Sequence, residues 1–153
     1  MKSKKAIGTV KPVTMKPGKG KTWTDKVNDP TKEPQIKKLE KDFADMTAGS
    51  KILIATPKIV EDYVRHIPKG KSTSLATMRK DLASEFNTDY TCPVTSGIFL
   101  RIVSEAAYEQ LMQGKPISSV APFWRIVDDK SALNKKLSFG ESFVKTQRKK
   151  EGI

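Results

Sequence analysis

Cys92 is the single cysteine and His66 the single histidine among 153 residues, so nucleophilic or metal chemistry has few places to reside. A thiol becomes a useful nucleophile when a base, a cation or a helix N-terminus lowers its pKa. Cys92 stands just before a predicted helix start, which suits that role; the plainer reading of a lone cysteine is a small buried hydrophobe. His66 falls near the C-terminus of another predicted helix, where a surface imidazole complements the helix dipole. One His, one Cys and scattered carboxylates lack the ligand spacing of a metal site, so neither metal nor cofactor is expected. The stretch Lys16-Pro17-Gly18-Lys19-Gly20-Lys21-Thr22 ends like a phosphate-binding loop. Its first glycine is misplaced and no strand precedes it, so we read the likeness as coincidence.

The chain carries 29 Lys and Arg against 17 Asp and Glu, a net charge of +12. Such a field attracts polyanions and releases their counterions on binding, which makes nucleic acid the leading partner. An anionic membrane or an acidic protein would satisfy the same charge. With 37% apolar residues the chain can build one core, and a second full domain is not expected. No apolar run approaches the roughly 20 residues of a membrane-spanning helix. The expectation is a soluble cytoplasmic monomer.

Residues 1–33 mix Lys with Pro, Gly and Thr and hold no acid before Asp25. They read as a disordered basic arm, serving either as a phosphate tether or as a solubilising tail. Beyond it, in 34–153, Ile36, Leu39, Phe43 and Met46 fall at helical spacing and predict an amphipathic helix from Pro34. Ile52-Leu53-Ile54 predicts a strand, and Thr56-Pro57 the capped start of a helix whose apolar side is Ile59, Val60, Tyr63, Val64 and Ile67. Pro68 and Gly70 turn the chain, and Ser74 caps a helix from Leu75 to Phe86. A polar turn, Asn87 to Pro93, leads to a long helix from about Thr95 through Met112, with Ile98, Ile102, Ala106 and Leu111 facing inward.

Four short motifs then stand in order: Ile67-Pro68-Lys69-Gly70-Lys71 with Ser74, Ala121-Pro122-Phe123-Trp124-Arg125-Ile126-Val127, Ser138-Phe139-Gly140, and the closing Glu151-Gly152-Ile153. From about Thr56 to Ile153 the chain resembles the O6-alkylguanine-DNA alkyltransferase DNA-binding domain. That family has Pro-Cys-His-Arg where this chain has Pro122, Phe123, Trp124 and Arg125, so the alkyl-accepting cysteine and its activating histidine are absent. The chain is similar to alkyltransferase-like proteins, which bind alkylated DNA without repairing it. The resemblance implies a mainly α, winged helix-turn-helix-like domain with a small β element. It also implies no catalysis, double-stranded DNA as partner, and nucleotide excision repair proteins as a further partner, in a nucleoid-associated setting.

The resemblance makes the long helix the recognition helix. Ser74, Thr95, Ser96, Gly97, Arg101, Lys115, Lys135 and Lys136 become the DNA-binding candidates, the last two beside a wing at Ser138 to Gly140. Pro122, Phe123, Trp124, Arg125, Ser138 and Gly140 become the walls of a base pocket. An extruded base needs apolar walls, and aromatic faces stack on it for about 1–3 kcal/mol. The other reading has Phe123 and Trp124 filling the space and closing the pocket. Departures matter too: Leu75 replaces a phosphate-binding tyrosine, Lys115 replaces an asparagine before Pro116, and the family's base-replacing arginine has only Arg101 as a candidate. Three functions therefore stand: a sensor of O6-alkylguanine, a general nucleic-acid binder that has lost base flipping, and an alkyltransferase using Cys92.

Overall fold

The computed structural model describes residues 16–153. The elements run α1 (Trp23–Val27), β1 (Gln35–Lys38), β2 (Lys51–Ile54), α2 (Pro57–Arg65), α3 (Leu75–Glu85), β3 (Tyr90–Thr91), α4 (Pro93–Met112), α5 (Ala132–Lys136) and α6 (Ser142–Glu151). Two 3-10 turns, Ile117–Ser119 and Phe123–Arg125, lie between α4 and α5. The fold is mainly helical with one small sheet, ordered β1-β2-β3. No described helix is long and apolar enough to cross a membrane.

α4 is the centre of this body. Leu100 to Ala107 is an unbroken buried run, Arg101, Ser104 and Glu105 included, and ten of the 20 residues of α4 are buried; a helix buried on all sides is interior to its fold. α1 and α2 lie against it, and the core continues through Leu53, Val60, Val64, Met78, Leu82, Phe123 and Val144. Ile102 and Ala106 are buried as expected, whereas Ile98 is 40% exposed.

Local signals account for most helix starts. The Thr56 side chain accepts the Ile59 N–H, and Pro57 occupies the first turn. Ser74 Oγ accepts the Thr77 N–H at 3.1 Å to start α3. Each is a polar cap satisfying an amide that has no partner within the helix.

Three expectations fail. The helix predicted from Pro34 is instead strand β1, antiparallel to β2 with Ile36 opposite Leu53. Its stripe has little to bury: Ile36 is 54% and Phe43 49% exposed, and Met46 alone is buried. Pairing with the ladder of β2 outweighs the helical period, and Lys37 and Lys38 keep the outer edge charged. After β1 the chain doubles back through reciprocal backbone bonds between Phe43 and Met46, with Ala44 at φ +53°.

The polar turn at Asn87–Pro93 contains β3, which pairs in parallel with β2, Leu53 opposite Thr91. A parallel pair needs a crossover, and α2 and α3 supply it. Arg79 and Thr91 lock β3 to α3: Arg79 Nε donates to the Thr91 carbonyl at 2.9 Å and Thr91 Oγ1 to the Arg79 carbonyl at 2.8 Å.

Part of the predicted basic arm is folded. α1 lies within it, with Val27 2% exposed. The Glu109 carboxylate on α4 accepts the Trp23 and Thr24 N–H groups, each at 3.0 Å, and the Thr24 hydroxyl at 2.7 Å. A five-residue helix is marginal alone, and an acid more than 80 positions away stabilises its N-terminus. The arm reading for residues 1–15 lies outside the described residues.

Candidate nucleic-acid interface and its aromatic centre

The 3-10 turn at Phe123–Arg125 sets three side chains in three environments. Phe123 is fully buried and Trp124 2% exposed. The Phe123 ring meets Trp124 edge-on at 5.4 Å between centroids, Phe139 edge-on at 5.7 Å, and Phe143 in a stack at 5.7 Å. Tyr108 from α4 stacks on Phe139 at 4.0 Å and closes the cluster. Such aromatic contacts add about 0.5–1.5 kcal/mol each beyond area burial. Of the open and the filled pocket, these contacts favour the filled one: Phe143 stacks on Phe123 and meets Trp124 edge-on at 6.1 Å.

Trp124 and Arg125 converge on the last turn of α6. Trp124 Nε1–H donates to Glu151 Oε2 at 2.7 Å. Arg125 holds the same carboxylate in a fork, Nε to Oε1 at 2.9 Å and Nη2 to Oε2 at 3.0 Å, and its Nη1 donates to the Ile67 carbonyl at 2.8 Å. The Gly70 N–H donates to Glu151 Oε1 at 2.9 Å, and the Thr73 N–H to the Arg125 carbonyl at 2.9 Å. Gly70 has φ +81°, which a residue with a side chain adopts only under strain. Arg148 reaches back from α6 to the Trp124 carbonyl at 2.7 Å.

Two distant chain segments, the loop at Gly70 and the turn at Trp124–Arg125, are thus tied to one carboxylate on a third, α6. Burial would raise the Glu151 pKa, but the hydrogen bonds from Arg125, Gly70 and Trp124, with the Arg125 charge, outweigh it and hold it at about 2. Bidentate Arg–carboxylate geometry is among the strongest side-chain pairings available. Here it fixes the loop before α3 against the end of α6.

That clamp collects positive charge. Lys69 and Lys71 flank Gly70, Lys149 and Lys150 precede Glu151, and all four are exposed. Ser74 lies exposed just beyond. Lys145 is also exposed on α6.

The other predicted contacts do not join this surface as expected. Ser96 is fully buried, its Oγ donating to the Cys92 carbonyl at 2.7 Å. Thr95 has its Oγ1 buried without a hydrogen-bond partner among the described residues, and Gly97 is half-buried. Arg101 is 9% exposed, with its Nε unpartnered, and desolvation lowers its pKa while Glu105 opposes that shift. α4 therefore presents no recognition face along its middle, because those residues build the core. Lys115 is exposed in the turn after α4, and Lys135 and Lys136 at the end of α5.

The expected wing is a turn. Leu137 is fully buried, and Glu105 accepts the Ser138 N–H at 2.7 Å and its hydroxyl at 2.5 Å. Gly140, at φ +88°, returns its N–H to the Leu137 carbonyl. Pro122 is buried. No described strand follows α4, so Ser138 and Gly140 have no ladder to join.

Beside the 3-10 turn, a cavity of about 120 Å³ is lined by Arg65, Ile117, Ser118, Val120, Pro122, Trp124 and Arg125. Cys92 is half-buried as the cap of α4. No described group of His, Cys, Asp and Glu has the arrangement to hold a metal.

Sequence reasoning missed Glu151 as the hub and Glu109 as the cap of α1. The signal for the first was present, since Arg125 and Glu151 each sat in a motif. Tyr108, Phe139 and Phe143 carried a weaker one, as large aromatics needing a common interior. Searches of the chain against family models, curated proteins and solved structures return no match.

Proposed function

We propose that this protein is a non-enzymatic binder of double-stranded DNA that grips phosphates through clustered surface lysines and does not extrude a base. The observation that carries the reading is the gathering of Lys69, Lys71, Lys149 and Lys150 around the Gly70–Glu151 contact. Lysines held on a fixed loop and a helix end bind phosphates with less ordering cost than lysines on a free chain. The filled aromatic centre supports the absence of base extrusion, and the likeness to the alkyltransferase DNA-binding domain supports duplex DNA as the polyanion. On this reading the winged helix-turn-helix likeness survives in the α3–β3–α4 order and not in a wing.

Recognition of O6-alkylguanine is the second reading, favoured by the 120 Å³ cavity against Pro122, Trp124 and Arg125. Nucleotide excision repair proteins enter as partners only there.

Competition binding of matched duplexes, one with O6-methylguanine and one with guanine, separates the two across a salt series. The proposal expects equal affinities that fall together with salt. Replacing the four lysines by Ala should flatten the slope by about 3 to 4, near 0.9 for each phosphate left without its lysine. Tighter binding to the lesion that persists at high salt would overturn the first reading in favour of the second.

A further inference from the structure

The acidic residues of this basic protein are not spread evenly. Between α2 and α3 lies a groove of about 350 Å³ lined by Ile59, Asp62, Tyr63, His66, Leu82 and Glu85. Its volume falls in the range of ligand pockets, and its lining mixes an apolar floor with a few placed polar groups. Leu82 is 1% exposed and Ile59 and Tyr63 pack on the core, so the floor is fixed.

Two carboxylates, Asp62 and Glu85, line it beside one phenol, Tyr63, and one imidazole, His66. Asp62 and Glu85 are exposed, and neither carboxylate has a hydrogen bond or ion pair with a described residue. Asp81 accepts the Tyr63 hydroxyl at 2.6 Å, and burial first, then that bond, push Tyr63 up to about 12, so the phenol stays a donor. His66 is exposed, its Nδ1 2.6 Å from the Asp62 carbonyl.

Three cations of α2 and α3 are engaged elsewhere. Lys58 and Arg65 pair with the buried Glu61, Arg65 also donating to the Ser119 carbonyl, and Arg79 is held by Thr91 and Asp45. The groove is thus a negative, partly apolar depression in a chain of net charge +12. It repels phosphate, and so is distinct from the lysine surface.

We infer that this groove is a docking site for a basic peptide of a partner protein, in which a Lys or Arg side chain meets Asp62 and Glu85 while a neighbouring apolar side chain rests on Ile59, Tyr63 and Leu82. Charge complementarity selects this occupant. A net-positive protein repels cationic peptides at long range, so only a local negative field captures one. An acidic peptide would instead meet the lysines on the other surface.

The test uses the full chain and the labelled hexapeptide Lys-Leu-Lys-Leu-Lys-Leu, with Glu-Leu-Glu-Leu-Glu-Leu as control. Fluorescence anisotropy should show the basic peptide bound, and Asp62→Asn with Glu85→Gln should weaken it at least about fivefold, as expected for two exposed ion pairs. The acidic peptide should be insensitive to both substitutions. Backbone amide shifts on adding the basic peptide should cluster in 59–66 and 82–85. The two carboxylates are exposed and unpaired, so the double variant should melt as the parent does. Equal affinity in parent and variant, or shifts centred elsewhere, would overturn the inference. So would backbone amide shifts on adding duplex DNA that centre on 59–66 and 82–85, which would put nucleic acid in the groove.

Discussion

Arg125 and Arg101 are both drawn into the body of the protein, and their surroundings differ in almost every respect. Arg125, with its side chain 14% exposed, commits its guanidinium to a two-point grip of Glu151 and to the Ile67 carbonyl. Arg101, 9% exposed as a residue, leaves its Nε without a hydrogen bond, and Glu105, one turn along α4, is the charge that acts on it. Burial alone therefore says little about what a charge contributes. A satisfied pair organises segments distant in sequence, whereas a guanidinium with one buried nitrogen unpartnered carries part of its desolvation cost against the attraction of Glu105 alone.

The largest test breaks the satisfied pair. Arg125→Met leaves Glu151 buried against Trp124 and Gly70 without its cation, and should lower the unfolding free energy by about 3–5 kcal/mol. Thermal melting followed by circular dichroism would show this as a fall in Tm of roughly 10 °C. Adding Glu151→Met to the same chain should recover much of the loss, because the uncompensated carboxylate is then gone. A single variant that melts like the parent would mean that the clamp is decoration on a fold held by its aromatic centre.

A smaller effect follows from pH. The Glu151 pKa is depressed in the folded state, from an ordinary 4.5 to about 2. Its contribution is complete above 4.5 and is lost as pH falls through that window, because the unfolded chain takes up the proton first. The loss should be about 2 kcal/mol after allowance for solvent screening. Urea unfolding at about pH 6 and about pH 2.5 would measure it, and Glu151→Gln should remove most of the difference attributable to this carboxylate. An unchanged pH dependence in that variant would place acid sensitivity elsewhere.

The same contrast explains what could be read from the sequence. Caps are local, and Thr56, Pro57 and Ser74 announced their helices because acceptor and amide lie within three residues. The strand at Ile52–Ile54 was equally plain. Long-range pairing was not: Gln35–Lys38 has a helical stripe yet serves as an edge strand for β2, and α1 depends on Glu109. β3 hides in a polar turn because its partner is the strand before the crossover. Only one side of the burial of α4 was legible, since Leu100, Ile102, Val103, Ala106 and Ala107 share that side, while the opposite side of the same run is Arg101, Ser104 and Glu105. The likeness to a recognition helix drew attention to its first turn instead. For the site, the motifs at Pro68–Gly70, Phe123–Arg125 and Glu151 do come together, but as a structural clamp. Phe123 stacks on Phe143 and meets Phe139 edge-on, and Trp124 meets Phe143 edge-on, partners whose spacing carries no period.

The smallest expected effect concerns Arg101, and it sharpens the comparison most because its sign is open to reversal. Arg101→Met keeps the length and the apolar stem while removing a guanidinium whose Nε has no partner. Glu105 keeps its bonds to Ser138. Relief of desolvation offsets the missing attraction to Glu105, so stability should change by less than about 1 kcal/mol, in either direction. Melting and duplex affinity should be measured together on this variant. A destabilisation as large as that of Arg125→Met would show that Arg101 is as well satisfied as Arg125, and the contrast would fall. Unchanged stability with at least tenfold weaker duplex binding, about 1.4 kcal/mol, would show that the arginine leaves the core to meet DNA. The unpartnered Nε in the free protein would then be the stored cost that binding relieves.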